Sequence, residues 1–199
     1  VVVTGWGLSE SAWGGYTQKA KLKSDWLLPL PAGISLQQSM AVGTAGFTAM
    51  LSVMALEHMG LEPSQGEVLV TGAAGGVGSV AVAVLANLGY DVAASTGRTE
   101  THDYLKSLGA KSIVERSELE EDGGPMRKAR WAGAVDTVGS KILVNAMAQI
   151  KPNGSIAVCG LAAGADLPAT VVPLILRGVS LLGINSVFVS NDKRKVAWD

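Results

Sequence analysis

Between residues 67 and 79 the chain reads Glu-Val-Leu-Val-Thr-Gly-Ala-Ala-Gly-Gly-Val-Gly-Ser, and few folds accommodate such a run. Glu67 to Thr71 has the composition of a short strand buried on both faces. Gly72 begins a turn. Gly75 and Gly76 lack a Cβ, so backbone N–H groups there can approach a pyrophosphate closely. Gly78 lets the next helix pack against the strand. That helix is predicted over 77–88, with Val80, Val84, Leu85 and Leu88 at helical spacing and Gly89 as its stop. Its N-terminus carries partial positive charge where phosphates would sit. A strict G-x-G-x-x-G pattern would need glycine at 73, where the chain has Ala73. A glycine-rich turn without a ligand is the alternative. No Lys precedes Ser79, which excludes a P-loop.

The next strand is predicted over Asp91 to Ser95, followed by Thr96, Gly97 and Arg98. Enzymes that use NAD place Asp or Glu at the carboxyl end of this strand, where it bonds the ribose 2′-OH. Asp91 lies at the opposite end. Thr96 and Arg98 lie at the correct end, and a guanidinium there suits a 2′-phosphate. The pattern therefore points to NADPH. A solvated arginine in a turn is the alternative.

The remainder of the chain alternates strands and helices. Strands are predicted at 67–71, 91–95, 111–115, 133–138, 155–159 and 179–185. Helices are predicted at 40–59, 77–88, 99–108, 117–130, 140–149 and 170–177, with Pro152-Asn-Gly154 as a turn before the fifth strand. Six strands with intervening helices predict a doubly wound parallel sheet of order 3-2-1-4-5-6. Residues 1–38 have no helical period. Val1 to Thr4 and Gly15 to Ala20 are short strand candidates, and the block reads as the tail of a small β domain. The chain opens as a strand already under way and closes in a charged helical stretch from Asn191. Both ends suggest a segment of a longer protein.

Ligands in such sheets sit beyond the carboxyl ends of the strands. That rule selects Asp136, Thr137 and Val138, then Cys159, Gly160 and Leu161, then Asn185 and Ser186. Cys159 ends an apolar strand with no His nearby in sequence and is read as a buried structural thiol. His58 and His102 are read as structural or surface residues. Arg116, after the third strand, is a candidate for a second phosphate or adenine contact, with a free surface Arg as the alternative. Thr44 and Thr48 are candidates for the nicotinamide border, with ordinary helix-entry residues as the alternative.

Composition removes other classes. A net charge of −1 gives no electrostatic reason to expect nucleic acid. One Cys rules out an internal disulfide and suits a reducing compartment, the cytoplasm. No stretch reads as both long and apolar enough to span a membrane. No Tyr-x-x-x-Lys pair is present, which argues against a short-chain reductase.

Several segments together closely resemble the acrylyl-CoA reductase branch of the zinc-free medium-chain dehydrogenases/reductases, also called quinone oxidoreductases. They are Val1-Val-Val-Thr-Gly-Trp-Gly7, Trp13-Gly-Gly15, Gly43-Thr-Ala-Gly-Phe-Thr-Ala-Met50, Thr71 to Ser79, Tyr104-Leu-Lys-Ser-Leu-Gly-Ala110, Trp131-Ala-Gly-Ala-Val-Asp-Thr-Val-Gly139 and Cys159-Gly-Leu161. The resemblance runs from end to end. It implies a Rossmann domain over 39–199, preceded over 1–38 by the end of a GroES-like catalytic domain. It implies NADPH-dependent reduction of acrylyl-CoA to propionyl-CoA, an acyl-CoA substrate and a homodimer. Ala74, Gly75, Gly76 and Val77 match the family's pyrophosphate loop. Thr96, Gly97 and Arg98 match its 2′-phosphate loop, and Arg116 matches a further NADP contact. Leu161 and Thr48 complete the expected cofactor neighbours. Thr44 matches the position where zinc-dependent relatives supply a cysteine, so no metal is expected. The loop Leu8 to Ala12 departs from the pattern of the family, which leaves substrate range open. A quinone or enone reductase and a catalytically silent NADPH-binding protein are the rival readings.

Overall fold

A computed structural model describes residues 1–199. Six parallel strands form one sheet: β1 (Val68–Val70), β2 (Val92–Thr96), β3 (Ser112–Glu115), β4 (Trp131–Asp136), β5 (Ile150–Val158) and β6 (Ser180–Gly183). Their spatial order is β3-β2-β1-β4-β5-β6, the order expected. Val68 pairs with Val92 on one side and with Gly133 on the other, so β1 is central and its carboxyl end opens at the reversal of strand order.

Seven α-helices accompany the sheet: α1 (Leu36–His58), α2 (Gly76–Asn87), α3 (His102–Ser107), α4 (Arg116–Glu120), α5 (Ser140–Met147), α6 (Val172–Arg177) and α7 (Asn191–Trp198). Alternation along β1 divides the core. Val68 and Val70 join Ala49, Val53, Leu56, Ala81, Val82 and Leu85 of α1 and α2 on one face. Leu69 joins Leu119, Ile142, Leu143 and Met147 of α4 and α5 on the other. A third cluster docks the first thirty residues and α7 onto α1 through Val2, Leu28, Phe47, Leu51, Val189 and Trp198.

Several expectations need correction. α1 alone is long and apolar enough to cross a membrane by length and composition, with a mean hydropathy of 1.5 over its best window. Half of that window is buried, however, and α1 packs along α2 and the sheet as a core helix. Its helical geometry breaks at Gly43 (φ 52°), and Ser35 and Gln38 form a capping box at its start. The predicted strand at Val1 to Thr4 reduces to one bridge, Val2 with Leu28, and Gly15 to Ala20 forms no strand. The helix expected over 117–130 ends at Glu120, because Gly123, Gly124 and Pro125 cannot extend it. Pro152 to Gly154 lies inside β5, not before it. Trp131 pairs with Ile150 and Gly133 with Ser155, so β5 absorbs the extra residues as a bulge, with Asn153 left-handed at φ 64°.

Candidate functional site

The chain from β1 into α2 turns through Gly72, which is left-handed at φ 57°. A Cβ there would stand 3.0 Å from Val138 Cγ2. Gly75 caps α2 in an extended conformation, and the first-turn N–H groups of α2 have no helical carbonyl before them. Gly78 meets the turn from the helix side: a Cβ on it would stand 2.7 Å from Ala73 Cα and press on the Gly72 carbonyl. This contact fixes how closely the helix N-terminus approaches β1.

Above the turn lies a hollow of about 640 Å³. Its lining brings together Ala74, Gly75, Gly76, Val77, Thr96, Gly97, Arg98 and Arg116, with Thr137, Val138, Ile142, Ala162 and Ala163 along the far side. Arg98 Nη2 donates to the Ala74 carbonyl at 3.0 Å, and Arg98 N donates to Thr96 Oγ1 at 3.1 Å. Arg116 packs over Gly97, where a Cβ would stand 2.9 Å from its Cζ. Arg116 Nε pairs with Glu120 at 3.0 Å. Two guanidinium groups thus converge on the carboxyl end of β2, an arrangement that suits a phosphate dianion. Asp91 lies at the other end of that strand, paired with Lys111.

A buried polar knot joins the floor of the hollow. Thr71 Oγ1 donates to Asp136 Oδ1 at 2.6 Å, and Gly139 N donates to Asp136 Oδ2 at 2.8 Å. Thr137 donates to Thr71 twice, from N to Oγ1 and from Oγ1 to the carbonyl. Burial pushes the Asp136 carboxyl above its ordinary value, against these hydrogen bonds, which pull it down. Asp136 is fully buried, so it shapes the turn and does not line the hollow. Cys159 sits beside the knot, with N and Sγ donating to the Asp136 carbonyl at 3.0 and 3.4 Å. Burial pushes its thiol up to about 11, the state of an inert structural cysteine.

The remaining candidates lie apart from this lining. Thr48 is buried within α1, its hydroxyl donating to the Thr44 carbonyl at 2.7 Å. Leu161 is exposed beside a smaller hollow with Gly139 and Leu167, while its neighbours Ala162 and Ala163 reach the main one. Asn185 Oδ1 closes a turn by accepting from Val187 N and Phe188 N. Another hollow, of about 510 Å³, lies by Leu61, Lys151 and Gly154 at the amino ends of the strands, away from the glycine turn.

Two features were beyond the sequence pattern. Glu120 reaches the hollow only because α4 begins directly after β3. Arg194 is buried and donates to the carbonyls of Thr4, Val187 and Val189 at 2.7 to 2.9 Å. No motif marks it. No group of three or more His, Cys, Asp or Glu side chains is placed to hold a metal ion.

Comparisons agree with this geometry. Residues 76–199 match the family model described as zinc-binding dehydrogenase. The chain is 60% identical, over its whole length, to the acrylyl-CoA reductase AcuI of Ruegeria pomeroyi, and it spans 61% of that protein's length. It superposes with a TM-score of 0.96 on the yhdH oxidoreductase from Salmonella enterica in complex with NADP, at 55% identity, covering 98% of this chain and 60% of that one. The same TM-score holds for the Bacillus subtilis protein yhfP with NAD bound, at 50% identity and the same coverage. With a matched family model over most of its length and a six-stranded Rossmann sheet, the chain belongs to the zinc-binding dehydrogenases of the medium-chain dehydrogenase/reductase superfamily.

Proposed function

We propose that the protein is an NADPH-dependent reductase of acrylyl-CoA, yielding propionyl-CoA. The observation that carries the cofactor reading is the convergence of Arg98 and Arg116 on the carboxyl end of β2, at the place where NAD enzymes keep a carboxylate. The substrate reading rests on the 60% identity to an acrylyl-CoA reductase. Residues 1–38 are proposed as the end of a GroES-like domain and 39–199 as the Rossmann domain. The protein is proposed to be a cytoplasmic homodimer.

In this reading the glycine turn and the first turn of α2 hold the pyrophosphate, and Thr96 to Arg98 with Arg116 hold the 2′-phosphate. The Thr71–Asp136–Thr137 knot keeps the turn and the β4 loop at fixed separation, which sets the ribose between them. Leu161 and Thr48, proposed as nicotinamide neighbours, lie outside the lining of this hollow. NADPH, when bound, supplies a hydride to the β-carbon of the thioester, and a proton completes the α-carbon. The negative charge that develops on the thioester oxygen calls for hydrogen-bond donors aimed at it.

The test is NADPH oxidation by the full-length protein with acrylyl-CoA, crotonyl-CoA and a simple quinone in parallel. Turnover that favours acrylyl-CoA supports the proposal. Quinone turnover without thioester turnover moves the protein to the quinone reductases. NADPH binding without any turnover makes it a silent binding protein.

A further inference from the structure

Glu120 is the one carboxylate among the side chains that line the main hollow. Its Oε1 lies 3.0 Å from Arg116 Nε, one helical turn away, with both side chains about half exposed (53% and 56%). Arg98 has a donor committed to the Ala74 carbonyl. A phosphate arriving at the end of β2 therefore meets two guanidinium charges and one carboxylate, not two uncompensated cations.

We propose that Glu120 is a cofactor-selectivity residue: a carboxylate delivered from α4 that weakens the preference of the hollow for a 2′-phosphorylated dinucleotide over its unphosphorylated counterpart. The inference rests on the NADPH reading above. Two effects of Glu120 oppose each other. Its pairing with Arg116 orients the guanidinium, but a solvent-exposed pair one helical turn apart contributes little. Its charge repels a phosphate dianion and leaves a neutral 2′-OH unaffected. The repulsion therefore decides the sign, and it acts on one cofactor only. The carboxylate missing from the end of β2 thus enters the same pocket from another element and narrows the margin by which the pocket favours NADPH.

The experiment measures the Kd of NADPH and of NADH for the full-length protein and for Glu120→Gln, which keeps the length and an acceptor for Arg116. The variant is expected to bind NADPH about three- to tenfold more tightly, the scale of one screened charge in an open site. NADH binding, which also reports that the variant is folded, should stay within about twofold on the same grounds. The gain should shrink as salt rises. A protein that favours NADPH with a ratio untouched or lowered by Glu120→Gln overturns the role of Glu120 and leaves the NADPH reading standing. A parent with no NADPH preference, in which Glu120→Gln still tightens NADPH alone, removes that reading and keeps the role. Binding of neither cofactor overturns both.

Discussion

The Arg98 side chain reaches back across the hollow to the carbonyl of Ala74, 3.0 Å away, and so ties the loop after β2 to the glycine turn after β1. The two loops that would receive opposite ends of one cofactor half are held by one guanidinium. Arg98→Ala should weaken NADPH by roughly tenfold to a hundredfold, the range of one charge-assisted contact. NADH binding should change far less. Paired titrations with the two cofactors check the difference.

Gly78 faces backbone that cannot move aside. Gly78→Ala should destabilise the fold by about 1–3 kcal/mol through overpacking at the start of α2. It should also lower dinucleotide affinity, because the helix N-terminus would be pushed off the turn. Urea unfolding and a binding titration on the same sample separate the two effects.

Asp136 gives a pH signature. Its folded value lies above the ordinary carboxylate value because of burial. The folded chain therefore disfavours the charged form more than the unfolded chain does. The stability contributed by this group is fullest at or below the ordinary carboxylate range and falls as pH rises through the folded value. The stability of the parent relative to Asp136→Asn should decline over that window, as measured by urea unfolding from pH 4 upward. A difference that is flat with pH would show that burial does not govern this carboxyl.

Cys159 should react slowly. With its thiol pushed up to about 11, the thiolate fraction at pH 8 is on the order of a hundredfold below that of a free cysteine. A thiol reagent should label the unfolded chain rapidly and the folded chain slowly. The same shift predicts stability lost as pH rises from the ordinary thiol range toward 11.

Arg194 ties the first residues of the chain to the segment after β6, with its guanidinium 4.6 Å from the Trp6 ring and 5.1 Å from the Phe47 ring. Removing it takes the donor from the carbonyls of the buried residues Thr4 and Val189. Arg194→Ala should cost about 3 kcal/mol or more. It should also release residues 1–30 to limited proteolysis before the sheet unfolds. Arg194→Lys should rescue little, since an ammonium cannot span the same carbonyls.

The parallel sheet was legible because strands alternate with helices, several of them with their own stop, as at Gly89 (φ 87°). Its order was legible because the glycine turn follows the first strand, as in dinucleotide-binding sheets. The glycine turn and the Thr96 to Arg98 loop were legible for a related reason: both are consecutive residues fixed by backbone geometry. The misreadings fall where tertiary context governs. Gly15 to Ala20 has strand-like composition but no partner strand in this chain. Pro152 to Gly154 carries turn residues, yet β4 and β6 hold its flanks in the sheet. Glu120 pairs with Arg116 one helical turn away, but its place in the hollow depends on β2 and the glycine turn, and Arg194 reaches Thr4 from the far end of the chain; no local spacing announces either placement. Thr71 was visible only as the end of a strand, although it joins β1 to β4 through Asp136 and Thr137.

The central claim is that the hollow beyond β1 and β2 recognises a 2′-phosphate. Calorimetry with adenosine 2′,5′-bisphosphate and with adenosine 5′-monophosphate, which differ by that group alone, tests it most directly. The account predicts clearly tighter binding of the bisphosphate, reduced in Arg98→Ala and weakened by salt. Equal affinity for the two nucleotides, or a preference for the bisphosphate that removal of Arg98 leaves undiminished, would contradict it.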